Sequence, residues 1–102
     1  KTLINWIEDW YKNNCDGDWE HSYGITIETT DNPGWHLTID LHNTTLEAES
    51  IEYSLVDNGE SDWYGLKVEN AKFIASGDSH KLEFLLEEFV KFVEERANKL
   101  TP

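Results

Sequence analysis

The chain has 102 residues, 38% of them hydrophobic, including five Trp, four Tyr and four Phe; one domain over residues 1–102, with one modest core, is the simplest organisation. Twenty-one acidic and eight basic residues give a formal charge of −13, which argues against nucleic acid or an anionic membrane as partner and favours a basic partner or simply solubility, composition alone fitting both equally well. No run of ~18 apolar residues marks a membrane span, the first residues are too polar for a signal peptide, and one cysteine excludes an internal disulfide and fits a reducing cytoplasm.

Leu3, Ile4, Trp6, Ile7, Trp10 and Tyr11 recur at steps of three and four, which predicts a helix over about residues 3–13, capped by Thr2. Gly17 offers a left-handed residue to end it. Tyr23, Ile25 and Ile27 then alternate with Gly24, Thr26 and Glu28, the period of a strand with one buried face. Asp31-Asn32-Pro33-Gly34 predicts a type II turn, Pro33 fixing φ at the first central position and Gly34 supplying positive φ at the second. Trp35, Leu37, Ile39 and Leu41 alternate with His36, Thr38, Asp40 and His42 and complete a hairpin.

Ile51, Tyr53 and Leu55 mark a third strand, with Glu52 and Ser54 on its polar side. Turn formers fill residues 57–62. Tyr64, Leu66 and Val68 alternate with Trp63, Gly65, Lys67 and Glu69, and Phe73-Ile74-Ala75 extends this fourth strand past a break near Asn70. Gly77-Asp78-Ser79 ends the sheet and caps a helix over about residues 79–98. Its stripe is Leu82, Leu85, Leu86, Phe89, Val93, Ala97 and Leu100, which leaves Phe84 on the opposite side.

The expected fold is α+β: a two-layer domain in which a four-stranded antiparallel meander sheet carries the N- and C-terminal helices on one apolar face. Trp6, Trp10, Trp19, Ile25, Ile27, Leu37, Ile39, Leu66, Leu86 and Phe89 form the expected core.

Cys15-Asp16-Gly17-Asp18-Trp19-Glu20-His21 is the stretch densest in reactive groups. Cys15, Asp18 and His21 are spaced by three, but zinc wants about four ligands and no second cluster follows; Asp16-Gly17-Asp18 lacks the ordered oxygens of a calcium loop. Asp40 and His42, with His36, are a second weak possibility. Asp18 and Glu20, two apart in an extended segment, would point the same way, as the carboxylates of a glycosidase do. Cys15 with His21 would be a nucleophile pair, without an identifiable oxyanion element. Against these stands a structural role: Gly17 ends the helix, the aspartates cap loop N–H groups, Trp19 plugs the core, Cys15 packs as a small hydrophobe and His21 leads into the first strand, while Pro33 and Gly34 shape the hairpin. A binding role is the third possibility. Candidate contact residues are Asp16, Asp18 and Glu20 in this stretch; Glu28, Asp40, Glu52 and Glu69 on the polar sheet face; and Asp62 with the out-facing Trp63 at one end of the sheet; the off-stripe Phe84 of the last helix is a further aromatic anchor. No catalytic residue, cofactor or metal is expected.

Trp6-Ile7 with Asp9-Trp10-Tyr11, the Cys15–His21 stretch, Tyr23-Gly24-Ile25 and Asp31-Asn32-Pro33-Gly34-Trp35 together resemble the immunity protein 53 family of bacterial polymorphic toxin systems. The resemblance covers the first third of the chain. It implies a small cytoplasmic protein, not an enzyme, that binds a cognate toxin and blocks it. The charge suits a basic toxin such as a nuclease. An acidic nucleic-acid mimic that binds another basic protein, and a small hydrolase using Asp18 and Glu20, are the alternatives.

Overall fold

A computed structural model describes residues 1–100, with side chains described through Ala97. Thr2 Oγ1 accepts the Asn5 N–H and starts helix α1, Leu3–Asn14. A short helix α2, Trp19–Ser22, leads to the strands β1 (Ile25–Thr30), β2 (Gly34–Asp40), β3 (Ile51–Asp57), β4 (Trp63–Glu69) and β5 (Lys72–Asp78), and helix α3, Leu82–Leu100, closes the chain. Leu100, the last residue of the expected stripe, lies outside the described side chains.

The sheet has five antiparallel strands, not four, in the order β1-β2-β5-β4-β3. It is therefore not a simple meander: β5 returns to the centre and separates β2 from β4. The difference lies at Asn70 and Ala71, with φ of 53° and 59°. They form a two-residue turn with both central residues left-handed, between the paired Glu69 and Lys72. Such turns ordinarily carry Asn-Gly. With Ala71 in the second place the signal is masked, and one long strand is read where two antiparallel ones stand. Packing holds Ala71 there: it is buried, and its carbonyl accepts the Leu41 N–H at 2.7 Å.

Paired residues share a sheet face. Leu37, Ala75 and Leu66 form one apolar row; Ile39, Phe73 and Val68 form the next. Leu85, Leu86, Phe89 and Phe92 of α3 bury against them, and Leu3, Trp6, Ile7 and Trp10 of α1 pack on the same cluster. Phe89 is the meeting point: its ring lies 5.2 Å from Phe73, 4.9 Å from Trp10 and 6.1 Å from Trp6, all edge-on. Both helices thus cover one face, as expected. Trp19, Leu37, Ile39, Leu86 and Phe89 are buried, but Trp6, Trp10, Ile25 and Leu66 are only half-buried and Ile27 is exposed. Ile27 faces the helix side from an edge strand that the helices do not overhang.

Three local expectations change. Gly34 does not have positive φ and is the first residue of β2, paired with Thr30, so the hairpin loop is Asp31-Asn32-Pro33. Glycine is required there for a different reason: a Cβ would stand 2.5 Å from the Gly77 carbonyl oxygen. Helix α1 stops at Asn14 with Cys15 as its cap, and Gly17, at φ 98°, bends the loop beyond it. Phe84 is no exposed anchor: it is half-buried, its ring 4.6 Å from that of Tyr64.

Phe89→Ala removes the ring that joins both helices to the sheet. It is expected to cost about 3–5 kcal/mol, the usual range for a buried aromatic, read as a lowered urea midpoint. A loss below about 1 kcal/mol would show that the aromatic junction does not hold the layers together.

Candidate binding surface

The Cys15–His21 stretch is a hydrogen-bonded corner. Asp16 Oδ1 accepts the N–H groups of Asp18 and Trp19, both at 2.9 Å. Those two donors, Trp19 first, hold its carboxyl below the usual aspartate range. Glu20 folds back to accept from Asp16 at 3.0 Å and from Gly17 at 2.9 Å. Asp18 is the cap before α2 and Glu20 lies inside it with its carboxylate turned back onto the Asp16 and Gly17 N–H groups, so the two do not stand along one extended segment. The extended arrangement expected for that carboxylate pair is not the one found. Cys15 Sγ donates to the Tyr11 carbonyl at 3.3 Å, and the exposed His21 closes the helical turn and is not part of β1. Trp19 is buried among Trp10, Tyr11 and Tyr23, and its indole N–H donates to the His42 carbonyl at 2.8 Å. His42 lies past the end of β2, stacked 4.7 Å from Tyr23, so it does not share a strand face with His36 and Asp40. Among the described residues, no three of His, Cys, Asp and Glu are grouped as a metal ion would need.

The sheet face opposite the helices carries Glu28, His36 and Ser76 in one cross-strand row and Asp40, Lys72 and Glu69 in another. His36 Nδ1 and Ser76 Oγ are 2.7 Å apart. Several of the candidate acids are already compensated. Lys72 Nζ sits 3.3 Å from Asp40, Lys67 Nζ 3.2 Å from Glu69, and Lys81 Nζ 2.9 Å from Asp62. Asp40 also accepts the Gly24 N–H at 3.0 Å, tying β2 to the chain that enters β1. Asp16, Asp18 and Glu20 lie in the corner after α1, apart from this face. Acids without an ion pair among the described residues also stand around β3: residues 50–66, which are β3, its loop and the first part of β4, hold Glu52, Asp57 and Glu60 beside the paired Asp62, and neither Lys nor Arg.

The β3–β4 hairpin also departs most from strict alternation. The register of β3 on β4 shifts between Ile51, opposite Val68, and Ser54, opposite Leu66. The extra residue is a bulge, and it swaps faces along the rest of the strand. Ser54 and Val56 take the helix side, while Tyr53 and Leu55 turn to the open face. There Tyr53 lies across Gly65, where an added Cβ would meet its hydroxyl oxygen at 2.5 Å. Tyr53, Leu55 and Val56 are 60%, 53% and 41% exposed. Leu55, Asp57, Gly59, Glu60 and Trp63 line a shallow concavity of about 500 Å³. Alternation alone hides these apolar residues; the one pointer in the sequence is Gly65, a strand glycine that makes room for a ring.

The pattern of one protein family, immunity protein 53, matches residues 4–94. The chain belongs to the immunity protein 53 family. Membership supports an immunity role and implies binding to a cognate toxin. No curated protein and no solved structure gives a significant match. Among the described residues of this immunity protein, no helix is long and apolar enough to cross a membrane.

One carboxylate of the immunity protein, read from the sequence only as a helix cap, holds the backbone of Trp63, one of the residues that line the concavity. Asp78 is 1% exposed and accepts from Lys81 Nζ at 2.6 Å and from the N–H groups of Trp63 and His80, each at 2.9 Å. It thereby clamps the start of β4, beside Trp63, to the turn into α3. Lys81 beside it, with the two N–H donors, pulls its carboxyl from 3.8 down to about 2. A depressed carboxyl contributes stability that is present above its unfolded value and lost as pH falls towards its folded one. The immunity protein is therefore expected to lose stability between pH 4 and 2, and Asp78→Asn to flatten that stretch of the profile while lowering stability at neutral pH. Urea midpoints across that range provide the check. An unchanged acid limb in the variant would mean that Asp78 is not the titrating group.

Proposed function

We propose that this immunity protein is a stoichiometric inhibitor of a basic cognate toxin, such as a nuclease, acting in the cytoplasm of the producing cell by binding and not by catalysis. The observation that carries the basic partner is the formal charge of −13. Its distribution adds to it: lysines answer the acids at Asp40, Glu69 and Asp62, while Glu28, Glu52, Asp57 and Glu60 have no ion-pair partner among the described residues. Such a field steers an oppositely charged protein into encounter and lifts association from about 10⁵–10⁶ towards 10⁸–10⁹ M⁻¹s⁻¹ at low salt. A toxin that grips phosphates needs a basic site, and an acidic surface laid over that site blocks it.

Co-expression with the toxin product of the adjacent gene tests the reading, followed by stopped-flow binding at low and high salt. Growth should be rescued. The on-rate should fall steeply with salt, and Glu28→Gln with Glu52→Gln and Glu60→Gln should slow it several-fold while leaving the off-rate nearly unchanged. Unrelieved toxicity with no binding rejects the immunity reading for that pair. An on-rate indifferent to salt and to those substitutions rejects the steering.

A further inference from the structure

We propose that β3 is the docking edge, and that an extended basic segment of the toxin adds to it as a sixth antiparallel or parallel strand. The proposal rests on the toxin-binding reading above and names the surface and mode of that contact. Four observations lead to it.

First, β3 ends the sheet, so one side of its backbone pairs with β4 and the other with no strand. A row of free N–H and C=O groups is a template for another chain, and proteins ordinarily blunt it with lysine, proline or a cover. The sequence from Ile51 to Asp57, Ile-Glu-Tyr-Ser-Leu-Val-Asp, contains neither lysine nor proline. The bulge blunts only its first half; from Ser54 to Asp57 the register against β4 is regular.

Second, both faces of that edge are apolar and exposed. Tyr53 and Leu55 stand on the open face and Val56 on the helix side, where neither helix covers it. At the other edge of the sheet, β1 shows a single large exposed apolar side chain, Ile27, among threonines.

Third, the anchors are preorganised. Tyr53 is seated on Gly65, and Trp63 is fixed through its own N–H to the buried Asp78. A side chain entering the concavity between Leu55 and Trp63 meets a formed surface, which lowers the ordering cost of binding.

Fourth, charge selects the occupant. Glu52, Asp57 and Glu60 border the edge with no cation in residues 50–66. A second copy of this chain would bring its own acids against them, whereas an extended segment with basic side chains flanking an apolar one complements both features. In strand addition the backbone supplies affinity and the alternate side chains supply selectivity.

The test is hydrogen–deuterium exchange on the full chain, alone and with the inactivated toxin product of the adjacent gene, alongside binding kinetics. Amides of residues 53–57 should gain protection in the complex, and those of β1 should not. Leu55→Lys and Val56→Lys place cations on an exposed edge, so the fold should persist by circular dichroism. Each should weaken binding at least about tenfold, chiefly through the off-rate, while Ile27→Lys on the opposite edge should leave it unchanged. Wild-type binding with β3 amides unprotected, or with both variants binding normally, overturns strand addition but leaves the toxin reading intact. Absence of wild-type binding rejects the toxin reading for that pair, and the proposal with it. Protection of β3 in the free protein, with a dimeric mass in solution, identifies a second copy as the occupant and overturns the proposal.

Discussion

The fold depends on one aromatic junction. Phe89 of the last helix touches Phe73 at the centre of the sheet and Trp6 and Trp10 of the first helix, so the two ends of the chain meet over the same strand. Edge-on aromatic pairs contribute about 0.5–1.5 kcal/mol each beyond the area they bury. The geometry around the junction is tight. A Cβ on Gly77 would stand 2.7 Å from Lys81 Cβ, so the chain turns from β5 into α3 only because that position is bare. With β5 central, the helix layer is centred on β5 and its neighbours, and β3 is left at the rim.

From that arrangement the surface follows. A face that carries no helix and an edge that no strand covers are what remain once the first helix and the sheet have converged on Phe89. Lysines then divide the acids into two groups. Those at Asp40, Glu69 and Asp62 are tied into ion pairs that brace the sheet and its turn into α3, whereas those around β3 stay uncompensated. Exposed ion pairs of this kind contribute little stability each. Their larger effect here is on the field: they cancel charge at Asp40 and Glu69 on the open face and leave Glu52, Asp57 and Glu60 around β3, with Glu28 on β1, unanswered.

Much of this was legible in the residue pattern, and the exceptions have physical causes. Periodicity locates α1 and α3, the β1–β2 hairpin and the shared apolar face, because those segments obey a single period from end to end. Two places break the period. At Asn70-Ala71 a left-handed pair occurs without glycine, so one strand appears where there are two, and the sheet order changes with it. At Glu52-Tyr53 a bulge adds a residue, so Tyr53 and Leu55 face away from the core although their spacing from Ile51 says otherwise. The dense Cys15–His21 stretch is read from its residue types as a fold-setting corner, with a contact patch as the alternative. Asp16 and Glu20 accept N–H groups of their own loop, and Trp19 fills the layer beneath. Asp78, one aspartate among many in the sequence, becomes a buried clamp only when β4 and the turn into α3 are brought together by the fold.

The central claim is that the side of the sheet without helices, ending at β3, is the side that meets the toxin. Cross-saturation transfer from unlabelled toxin to the isotope-labelled, deuterated chain measures this most directly, because it reads contact at every amide without altering a residue. The expected result is attenuation along β3 and the β3–β4 hairpin, falling off across β4 and β5, with α1 and the exposed side of α3 unaffected. Attenuation centred on α1, or on the Asp16–Glu20 corner, with β3 untouched would contradict the account.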